Sequence, residues 1–475
     1  MKRSIRAWGV VLAGLVLWAS AGGAQESRQA TGVKVGEVTD TSAIVWMRLT
    51  AEAERAGNGV AVVGAVGQQV PTGVSVDALE GACPGAPGMV RVRYGLAASL
   101  AGAKSTGWAR VSEETDYTHQ FRLADLRPAS TYHYAAETAG PAGSPRHAGL
   151  RGSFQTAPRP ERRADVLFTA ITGQMYKDLD HPEGFHIYEA MRRLTPNFIV
   201  PTGDTVYYDN EAPRAATIEL ARYHWHRMYS LPRHIAFHLQ VPGYWEKDDH
   251  DTLSDDCWPT LRPAFMLPLT FEAGQRRFRE QVPMGERTYR TFRWGKGLQI
   301  WLVEGRDFRS PNTMPDGPDK TIWGAEQKAW LKRTIRASDA EWKVLISPTP
   351  IVGPDRTTKR DNHANAAFEH EGSEFRSWIQ ANAPGSLFVV CGDRHWQYHS
   401  VHPQTGVQEF CSGPASDQHA GGTPGEDPQY HRFHRVAGGF LAVSVRYVGA
   451  RCTITFRHHD VQGGVVYEYA RTRET

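Results

Sequence analysis

The sequence has few of the features that would assign it to a specialised class of protein. Its 475 residues include only five cysteines, an odd number, which excludes a small scaffold built on disulfides. The 54 lysines and arginines nearly balance the 51 acidic residues. The chain therefore lacks the large basic face that binds nucleic acid, and we expect no nucleic-acid partner. It also lacks internal repeats and low-complexity segments, and its 40% hydrophobic content is that of an ordinary globular protein.

Long apolar runs are missing everywhere except near the start of the chain. Three basic residues precede the apolar stretch 7–19, and small residues follow it as far as Ala24. This order is typical of a Sec-type signal peptide, here residues 1–24, cleaved after Ala21 or Ala24. It predicts export to the periplasm or the extracellular space. The apolar run is short for a bilayer, which needs about 20 residues, so we expect no transmembrane segment in the mature chain; a retained anchor is the alternative.

The segment 32–157 is predicted to form a β-sandwich. Stretches such as 42–47 and 118–123 alternate apolar and polar residues and are separated by glycine and proline. Alternation of period two indicates half-buried antiparallel strands. The stretch 126–134 resembles the corner that opens one strand of fibronectin type III sandwiches, where a tyrosine hydroxyl bonds to the backbone upstream. By the same resemblance, Trp46 is expected to fill the core of the sandwich.

From 164 to 470 the pattern changes to alternating strands and helices, which predicts an α/β domain. We expect strands at 166–171, 198–200, 298–303, 344–346 and 387–390, and helices from about 183 to Pro196 and at 215–229, 325–335 and 369–379. The end of the chain, 408–469, returns to β-structure. In open α/β sheets, ligands bind just past the carboxyl ends of the strands.

Aspartate and histidine clusters follow three of these predicted strands. They lie at 201–209, 246–251 and 391–395, on turns two of which contain glycine. Carboxylate and imidazole groups are ligands for divalent and trivalent metals. One such cluster alone would be interpreted as a solvated acidic loop, but three at strand ends favour a metal site. Two metal ions about 3.5–4 Å apart would hold a phosphoryl group and acidify a water.

These clusters resemble the motifs of the calcineurin-like metallophosphoesterase superfamily and, within it, the PhoD-type alkaline phosphatase/phosphodiesterase family. Gly203-Asp204 is similar to the superfamily's Gly-Asp, 248–251 to the family's Asp-Asp-His-Glu/Asp, and 392–395 to Gly-Asp-x-His. The resemblance implies a fibronectin/Ig-like β-sandwich followed by an α/β metallophosphoesterase sandwich. It also implies an exported, metal-dependent hydrolase of phosphate mono- or diesters with a dinuclear metal site.

The same resemblance implies roles for individual residues. Asp204 would bridge the two metals, with Asp249, Asp393 and His395 as further ligands. His250 would lie beside the site and donate a proton to the phosphate or the leaving oxygen. The alternative for His250 is a supporting residue that holds Asp251. Arg306 and Arg309 could bind phosphate oxygens or pair with nearby acids, and we leave them outside the predicted site.

Tyr207 predicts the identity of one metal. It follows Asp204 by three residues, as in the Gly-Asp-x-x-Tyr of purple acid phosphatases, where the phenolate binds ferric iron, and it is similar to the Gly-Asp-Tyr-x-Tyr of PhoD-type enzymes. A trivalent cation can hold a phenol deprotonated far below its ordinary pKa of about 10. We therefore expect Fe³⁺ together with a divalent ion, Ca²⁺, Zn²⁺ or Mn²⁺. The alternative is that Tyr207 only packs beside the site.

The chain departs from the family pattern at two positions. Gly173 stands where family members usually carry a cysteine ligand, in Ser-Cys-Gln, or an aspartate; the residues that could compensate are Gln174, Tyr176, Asp178 and Asp180. The histidine expected near 347–350 is missing, and His363 could supply an imidazole or be an ordinary loop residue. We count Gln174, Asp251 and His363 as further candidates for metal or substrate binding. Two other functions stay open: hydrolysis of another anionic ester such as a sulfate, and non-catalytic binding on the same fold.

Overall fold

The computed structural model describes residues 26–64 and 67–474, so the predicted signal peptide lies outside the described residues. Within those ranges, none of the helices combines the length and the apolar composition that crossing a membrane requires. The strands of the N-terminal region end at Gln155, and the next strand begins at Val166. The predicted order, a β region followed by a region with helices, is confirmed.

The N-terminal region contains two antiparallel sheets. Its strands are β1 (Val33–Gly36), β2 (Ala43–Arg48), β3 (Gly88–Gly95), β4 (Lys104–Ser105), β5 (Ala109–Val111), β6 (Thr118–Leu123), β7 (Thr131–Ala139) and β8 (Leu150–Gln155). One sheet has the order β1-β2-β6 and the other β4-β3-β7-β8, with β5 beside β3. Apolar side chains from both sheets share a core, among them Val45 of β2 and Val92 of β3. At the corner before β7, the backbone N–H of Arg127 donates to the Tyr132 hydroxyl at 2.9 Å.

Trp46 lies on the outer face of this region, so the expectation that it fills the sandwich core is wrong. Its neighbours in β2, Val45 and Met47, point into the core, and successive side chains of a strand point to opposite faces. The Trp46 indole N–H donates instead to the Glu280 carbonyl of the second region at 2.8 Å. The Lys34 ammonium lies 3.8 Å from the centre of the indole ring. Trp46 therefore joins the two regions.

The second region packs two larger sheets against each other. Its strands are β9 (Val166–Ile171), β10 (Phe198–Pro201), β11 (Arg290–Trp294), β12 (Leu298–Leu302), β13 (Trp342–Ser347), β14 (Leu387–Cys391), β15 (Gln397–Val401), β16 (Gln408–Ser412), β17 (His431–Arg435), β18 (Phe440–Val448), β19 (Arg451–His459) and β20 (Val465–Glu474). The sheet orders are β10-β9-β18-β19-β20 and β11-β12-β13-β14-β16-β15-β17. Aromatic rings meet between them: Phe410 of one sheet stacks on Phe456 of the other, with ring centres 4.0 Å apart.

Helices cover the outer faces of these sheets and fill the connections. They are α1 (His186–Leu194), α2 (Ile218–Tyr229), α3 (Pro232–His238), α4 (Phe271–Gln281), α5 (Gly324–Ala337) and α6 (Glu369–Asn382). The sequence does not predict α4, because Gly274 interrupts it and only two phenylalanines, seven residues apart, give it an apolar side. The glycine is required there: a Cβ at position 274 would lie 1.6 Å from the Thr252 carbonyl oxygen.

Candidate metal centre

The candidate site lies where β10 and β14 end, beside the loop that carries residues 246–251. After β10 the chain turns through Gly203 (φ +97°) and Asp204 (φ +53°), and after β14 it turns at Asp393 (φ +65°). Gly203 is required because a Cβ there would lie 2.6 Å from the Cβ of Asp248. This close approach of two loops brings together carboxylates that are more than 40 residues apart in sequence. Aspartate is one of the few side chains that tolerate the left-handed backbone region.

Asp204 is the shared member of two groups of acidic and histidine side chains. Its ligand atoms lie within 4.8 Å of those of Asp248 and Asp393, and in a second group within 4.8 Å of those of Asp249 and His250. Asp204 Oδ1 and Asp248 Oδ2 are buried and have no hydrogen-bond partner among the described residues. Burial and the neighbouring Asp249 carboxylate raise the pKa of Asp204 well above its ordinary value. Buried oxygens without donors are what a bound cation would satisfy.

Tyr207 is buried beside Asp204 and is surrounded by hydrogen-bond acceptors. Its hydroxyl oxygen lies 3.3 Å from Asp204 Oδ2, 3.4 Å from His395 Nε2 and 2.9 Å from His419 Nε2. Burial and the Asp204 carboxylate raise the pKa of Tyr207 well above 10. A phenolate at this position therefore needs a cation next to it. Burial, helped by His419, lowers the pKa of His395 well below its ordinary value, which favours the neutral imidazole that binds metals.

His250 lies over the ring of Tyr207, with ring centres 4.4 Å apart. Its Nδ1 is 2.6 Å from Asp209 Oδ1. Burial by itself lowers the pKa of His250, but the Asp209 and Asp249 carboxylates raise it more, so that the pKa lies well above 6.5. The supporting carboxylate is therefore Asp209, and the alternative in which His250 holds Asp251 is not what the contacts show.

The Asp251 carboxylate accepts two backbone hydrogen bonds from neighbouring loops of the site. Its two oxygens accept the backbone N–H groups of Asp248, at 2.7 Å, and Thr205, at 3.2 Å. These bonds tie the loop after β10 to the loop that carries Asp248. Burial raises the pKa of Asp251 to about 8. We conclude that Asp251 positions the two loops.

Gln174 and His363 are also placed in structural contacts. The Gln174 amide oxygen accepts the hydroxyl of Tyr188 at 2.5 Å, while its backbone N–H donates to the Asp204 carbonyl at 2.8 Å. His363 Nε2 lies 3.0 Å from a Glu371 oxygen, and its ring packs on Trp323 with centres 4.4 Å apart. Among the contacts of the described residues, none joins His363 to the cluster around Asp204. His363 belongs to a buried pair because its side chain enters the core beside α6.

Arg306 lies directly behind the carboxylates. Its Nε is 2.5 Å from Asp248 Oδ1, and its Nη2 is 3.7 Å from Asp249 Oδ2 and 3.5 Å from Asp361 Oδ2. The side chain has no exposure to solvent. Arg306 therefore offsets part of the negative charge from within the protein, and in this conformation it does not reach solvent.

The sequence does not single out four residues of the site. Asp209 and Asp248 belong to the predicted clusters but are not among the selected ligands. Asp178, named only as one of several residues that could compensate for Gly173, lies in the loop after β9, and His419 lies on a single turn after β16. No motif surrounds His419, and the Tyr207 that it contacts lies 212 residues earlier in the chain.

An open cleft of about 480 Å³ leads to the centre. His250, Asp393 and His395 form part of its floor, and the cationic side chains of Arg214, Arg356 and Lys359 stand around it. Lys359 pairs with Asp255 and Asp256, at 3.0 and 2.7 Å. The cleft thus combines an acidic centre with a basic surround.

The chain is similar to known phosphatases in sequence and in structure. The family model of the PhoD-like phosphatase matches residues 168–438, and that of the PhoD-like phosphatase N-terminal domain matches residues 17–158. The chain is similar in structure to PhoD, with a TM-score of 0.71 and 16% identity over 94% of this chain and 91% of that one. It is also similar to the purple acid phosphatase PPD1 of yellow lupin (Lupinus luteus), with a TM-score of 0.62 and 11% identity over 93% and 74%. At these identities the two structures indicate a shared fold. No curated protein sequence matches the chain.

Proposed function

Since this chain belongs to the PhoD-like phosphatase family and is a metal-dependent phosphoester hydrolase, we propose that it works with two cations that share Asp204. The observation that carries this proposal is the difference between the two oxygens of Asp204. Oδ2 lies 3.3 Å from the Tyr207 hydroxyl oxygen, whereas Oδ1 is buried without a hydrogen-bond partner among the described residues, and the ligand atoms of other carboxylates lie within 4.8 Å of Asp204. A carboxylate in such a position can bridge two cations, because one of its oxygens can face each cation.

The residues around Asp204 divide into two sets. One cation would be held by Asp204, Tyr207 and His395. Asp204 Oδ2 and His395 Nε2 lie 3.3 and 3.4 Å from the Tyr207 hydroxyl oxygen. The other would be held by Asp204 with Asp249, from one of the two groups, and with Asp393, from the other. Asp248 Oδ2, buried without a partner among the described residues, offers one more oxygen. Bound cations supply positive charge that polarises a phosphoryl oxygen and makes a water more acidic.

His250 serves as the proton donor in this proposal. Its Nδ1 is bound to Asp209, which fixes the ring and leaves Nε2 for the leaving oxygen of the ester. The carboxylates around it favour the protonated form that a general acid needs. Arg214, Arg356 and Lys359 would attract an anionic ester into the cleft.

Hydrolysis of simple aryl esters tests the reaction. We expect the purified chain to hydrolyse an aryl phosphate monoester or diester, to lose that activity in chelator and to regain it when divalent cations return. An aryl sulfate tests the alternative ester, and faster turnover of sulfate than of both phosphates would contradict the proposal. No turnover of any ester after metals are restored would favour a non-catalytic binding protein.

We further propose that the cation beside Tyr207 is Fe³⁺ and that the second is Ca²⁺, Zn²⁺ or Mn²⁺. The support is the buried Tyr207 hydroxyl, whose raised pKa leaves a phenolate only next to a strongly charged cation. The purified protein should then show a visible charge-transfer band, and Tyr207→Phe should remove it. A colourless, active enzyme without iron in elemental analysis would contradict the assignment of iron alone.

Two features of the N-terminal part complete the proposal. We infer export from the basic and apolar order of residues 1–24, which mass spectrometry of the secreted chain would test by its first residue. We also infer that the region 32–157 is a fibronectin/Ig-like sandwich and that 164–470 is the metallophosphoesterase domain. The bond from Arg127 to the Tyr132 hydroxyl supports the first assignment.

The substrate would be a small or polymeric phosphate ester.

A further inference from the structure

His419 lies against the cluster although no sequence motif includes it. It ends the single helical turn Asp417–His419. Its Nε2 is 2.9 Å from the Tyr207 hydroxyl oxygen, and its ring packs on that of His395 with centres 4.1 Å apart. Its side chain is 9% exposed to solvent. This imidazole therefore faces the same point as Tyr207 and His395.

The His419 ring lies against the place that the Cβ of a residue at position 173 would take. Gly173 has a φ of +59°, and a Cβ there would lie 3.2 Å from His419 Cδ2 and 3.4 Å from His395 Cδ2. The distance to His419 is tighter than ordinary contacts of a Cβ, and a side chain would strain the left-handed backbone. A residue larger than glycine at 173 would therefore require the His419 ring to move by a few tenths of an ångström.

Three donor atoms lie around the Tyr207 oxygen at the spacing of adjacent metal ligands. The Tyr207 oxygen has three neighbours: Asp204 Oδ2 at 3.3 Å, His395 Nε2 at 3.4 Å and His419 Nε2 at 2.9 Å. With metal–ligand distances of about 2.0–2.2 Å, adjacent ligands of an octahedral or tetrahedral shell lie about 2.8–3.6 Å apart. A single hydroxyl proton can serve only one of these three acceptors.

Asp178 fixes the orientation of the His419 ring. Its Oδ2 is 2.9 Å from His419 Nδ1. An Nδ1–H that donates to the carboxylate leaves a lone pair on Nε2, directed to the Tyr207 oxygen. Metal-binding histidines commonly have a carboxylate in this position. Asp178 comes from the loop after β9, the loop that also carries Gly173.

We propose that His419 Nε2 is a ligand of the cation held by Tyr207, in place of the side chain that position 173 lacks, and that Asp178 positions this ligand. The inference rests on the proposed metal-dependent function. It adds to that function a ligand from a distant part of the chain.

Titration of the metal-free protein with Zn²⁺ alone tests the proposal through the number and affinity of bound ions. We expect His419→Ala to weaken one of two Zn²⁺ sites by at least about a hundredfold and to leave the other site unchanged. Asp178→Asn should weaken the same site by about 10–100-fold. The matched control is His434→Ala, which removes a histidine bonded to Thr423; it should bind as the wild type does.

Thermal unfolding with and without Zn²⁺ separates a ligand from a structural group. Loss of a ligand reduces the rise in unfolding temperature that Zn²⁺ produces, whereas loss of a purely structural hydrogen bond to Tyr207 lowers the unfolding temperature of the metal-free chain and leaves that rise unchanged. Two Zn²⁺ bound to His419→Ala with wild-type affinity would overturn this proposal alone. A wild-type chain that binds no Zn²⁺ would instead contradict the proposed metal site around Asp204.

Discussion

Two buried aspartates, Asp204 in the candidate metal centre and Asp116 where the two regions meet, have nearly the same backbone and opposite surroundings. Their φ angles are +53° and +54°. The Asp116 carboxylate accepts three hydrogen bonds, from Arg48 Nη2 at 3.0 Å, His226 Nε2 at 2.5 Å and Gln281 Nε2 at 2.7 Å. Asp204 is surrounded by other carboxylates and by Tyr207, whose hydroxyl lies near three acceptors. One of the Asp204 oxygens has no partner among the described residues.

The difference separates a charge that stabilises the fold from one that is available to a ligand. Burial by itself raises the pKa of Asp116, but Arg48 and His226 lower it by more than burial raises it. The pKa of Asp116 therefore lies below its usual range. For Asp204, burial and Asp249 act in the same direction and raise the pKa. A folded protein tolerates the second arrangement only at a cost in stability, which a bound cation offsets.

The same substitution at the two aspartates gives the largest contrast. Asparagine tolerates the left-handed backbone, so Asp204→Asn removes charge without backbone strain. We expect the rate of ester hydrolysis to fall at least about a thousandfold, since a metal ion supplies several kcal/mol to such reactions. The metal-free variant should be as stable as the wild type or more stable, because a buried charge among like charges is lost. Kinetics on an aryl phosphate and urea unfolding in chelator measure these two effects, and elemental analysis measures the metal content. Unchanged metal content in a folded variant would contradict the bridging role.

Asp116→Asn should have the reverse outcome. It leaves Arg48 buried with a neutral partner, and loss of one partner of a buried ion pair costs about 3–5 kcal/mol. We expect the free energy of unfolding to fall by about that amount while the metal content of the folded fraction stays normal. Urea unfolding in chelator, with Asp204→Asn as the matched control, measures it. If both variants lost equal stability, the contrast between the two aspartates would not hold.

Local sequence patterns predict those parts of the molecule whose structure depends on neighbouring residues. The strand predicted at 166–171 is β9, because a short apolar run identifies a buried strand. Asp204 and Asp393 are found for the same reason, since each follows such a run directly. Trp46 was misplaced because both faces of β2 are buried, and period two cannot tell which face meets the core and which meets another region.

The remainder depends on contacts between distant segments. Both Asp178 and His419 lie on short turns without periodicity, and they meet across 241 residues. The junction at Asp116 takes Arg48 from β2, His226 from α2 and Gln281 from α4. Neither composition nor spacing indicates that these side chains converge, so only the folded structure identifies them.

His250→Gln should lower turnover less than Asp204→Asn does, by about a hundredfold or more, which is the usual contribution of a general acid. Glutamine keeps a polar group next to Asp209 but has no proton to release near neutral pH. We expect the metal content to stay at the wild-type value, and this separates proton donation from metal binding. Steady-state kinetics on an aryl phosphate, with metal analysis of the same sample, measures both. A variant at nearly the wild-type rate would assign His250 a supporting role.

The smallest effect concerns the acid stability of the junction at Asp116. Burial, helped by Arg48 and Arg222, lowers the pKa of His226 to about 4 although Asp116 opposes the change. An unfolded chain protonates this histidine near pH 6.5. Stability from the neutral imidazole is therefore complete above pH 6.5 and is lost as the pH falls towards 4.

His226→Gln removes this dependence and keeps a neutral donor for Asp116. Between pH 7 and pH 4, the wild type should lose on the order of 3 kcal/mol of unfolding free energy relative to the variant, the equivalent of the shift in pKa. The difference between the two proteins cancels the contributions of the other histidines, which both chains share. Urea unfolding at a series of pH values, in chelator, measures it. Parallel curves would show that His226 takes up its proton in the folded chain as readily as in the unfolded one, and the junction would then owe its stability to Arg48 and Gln281 alone.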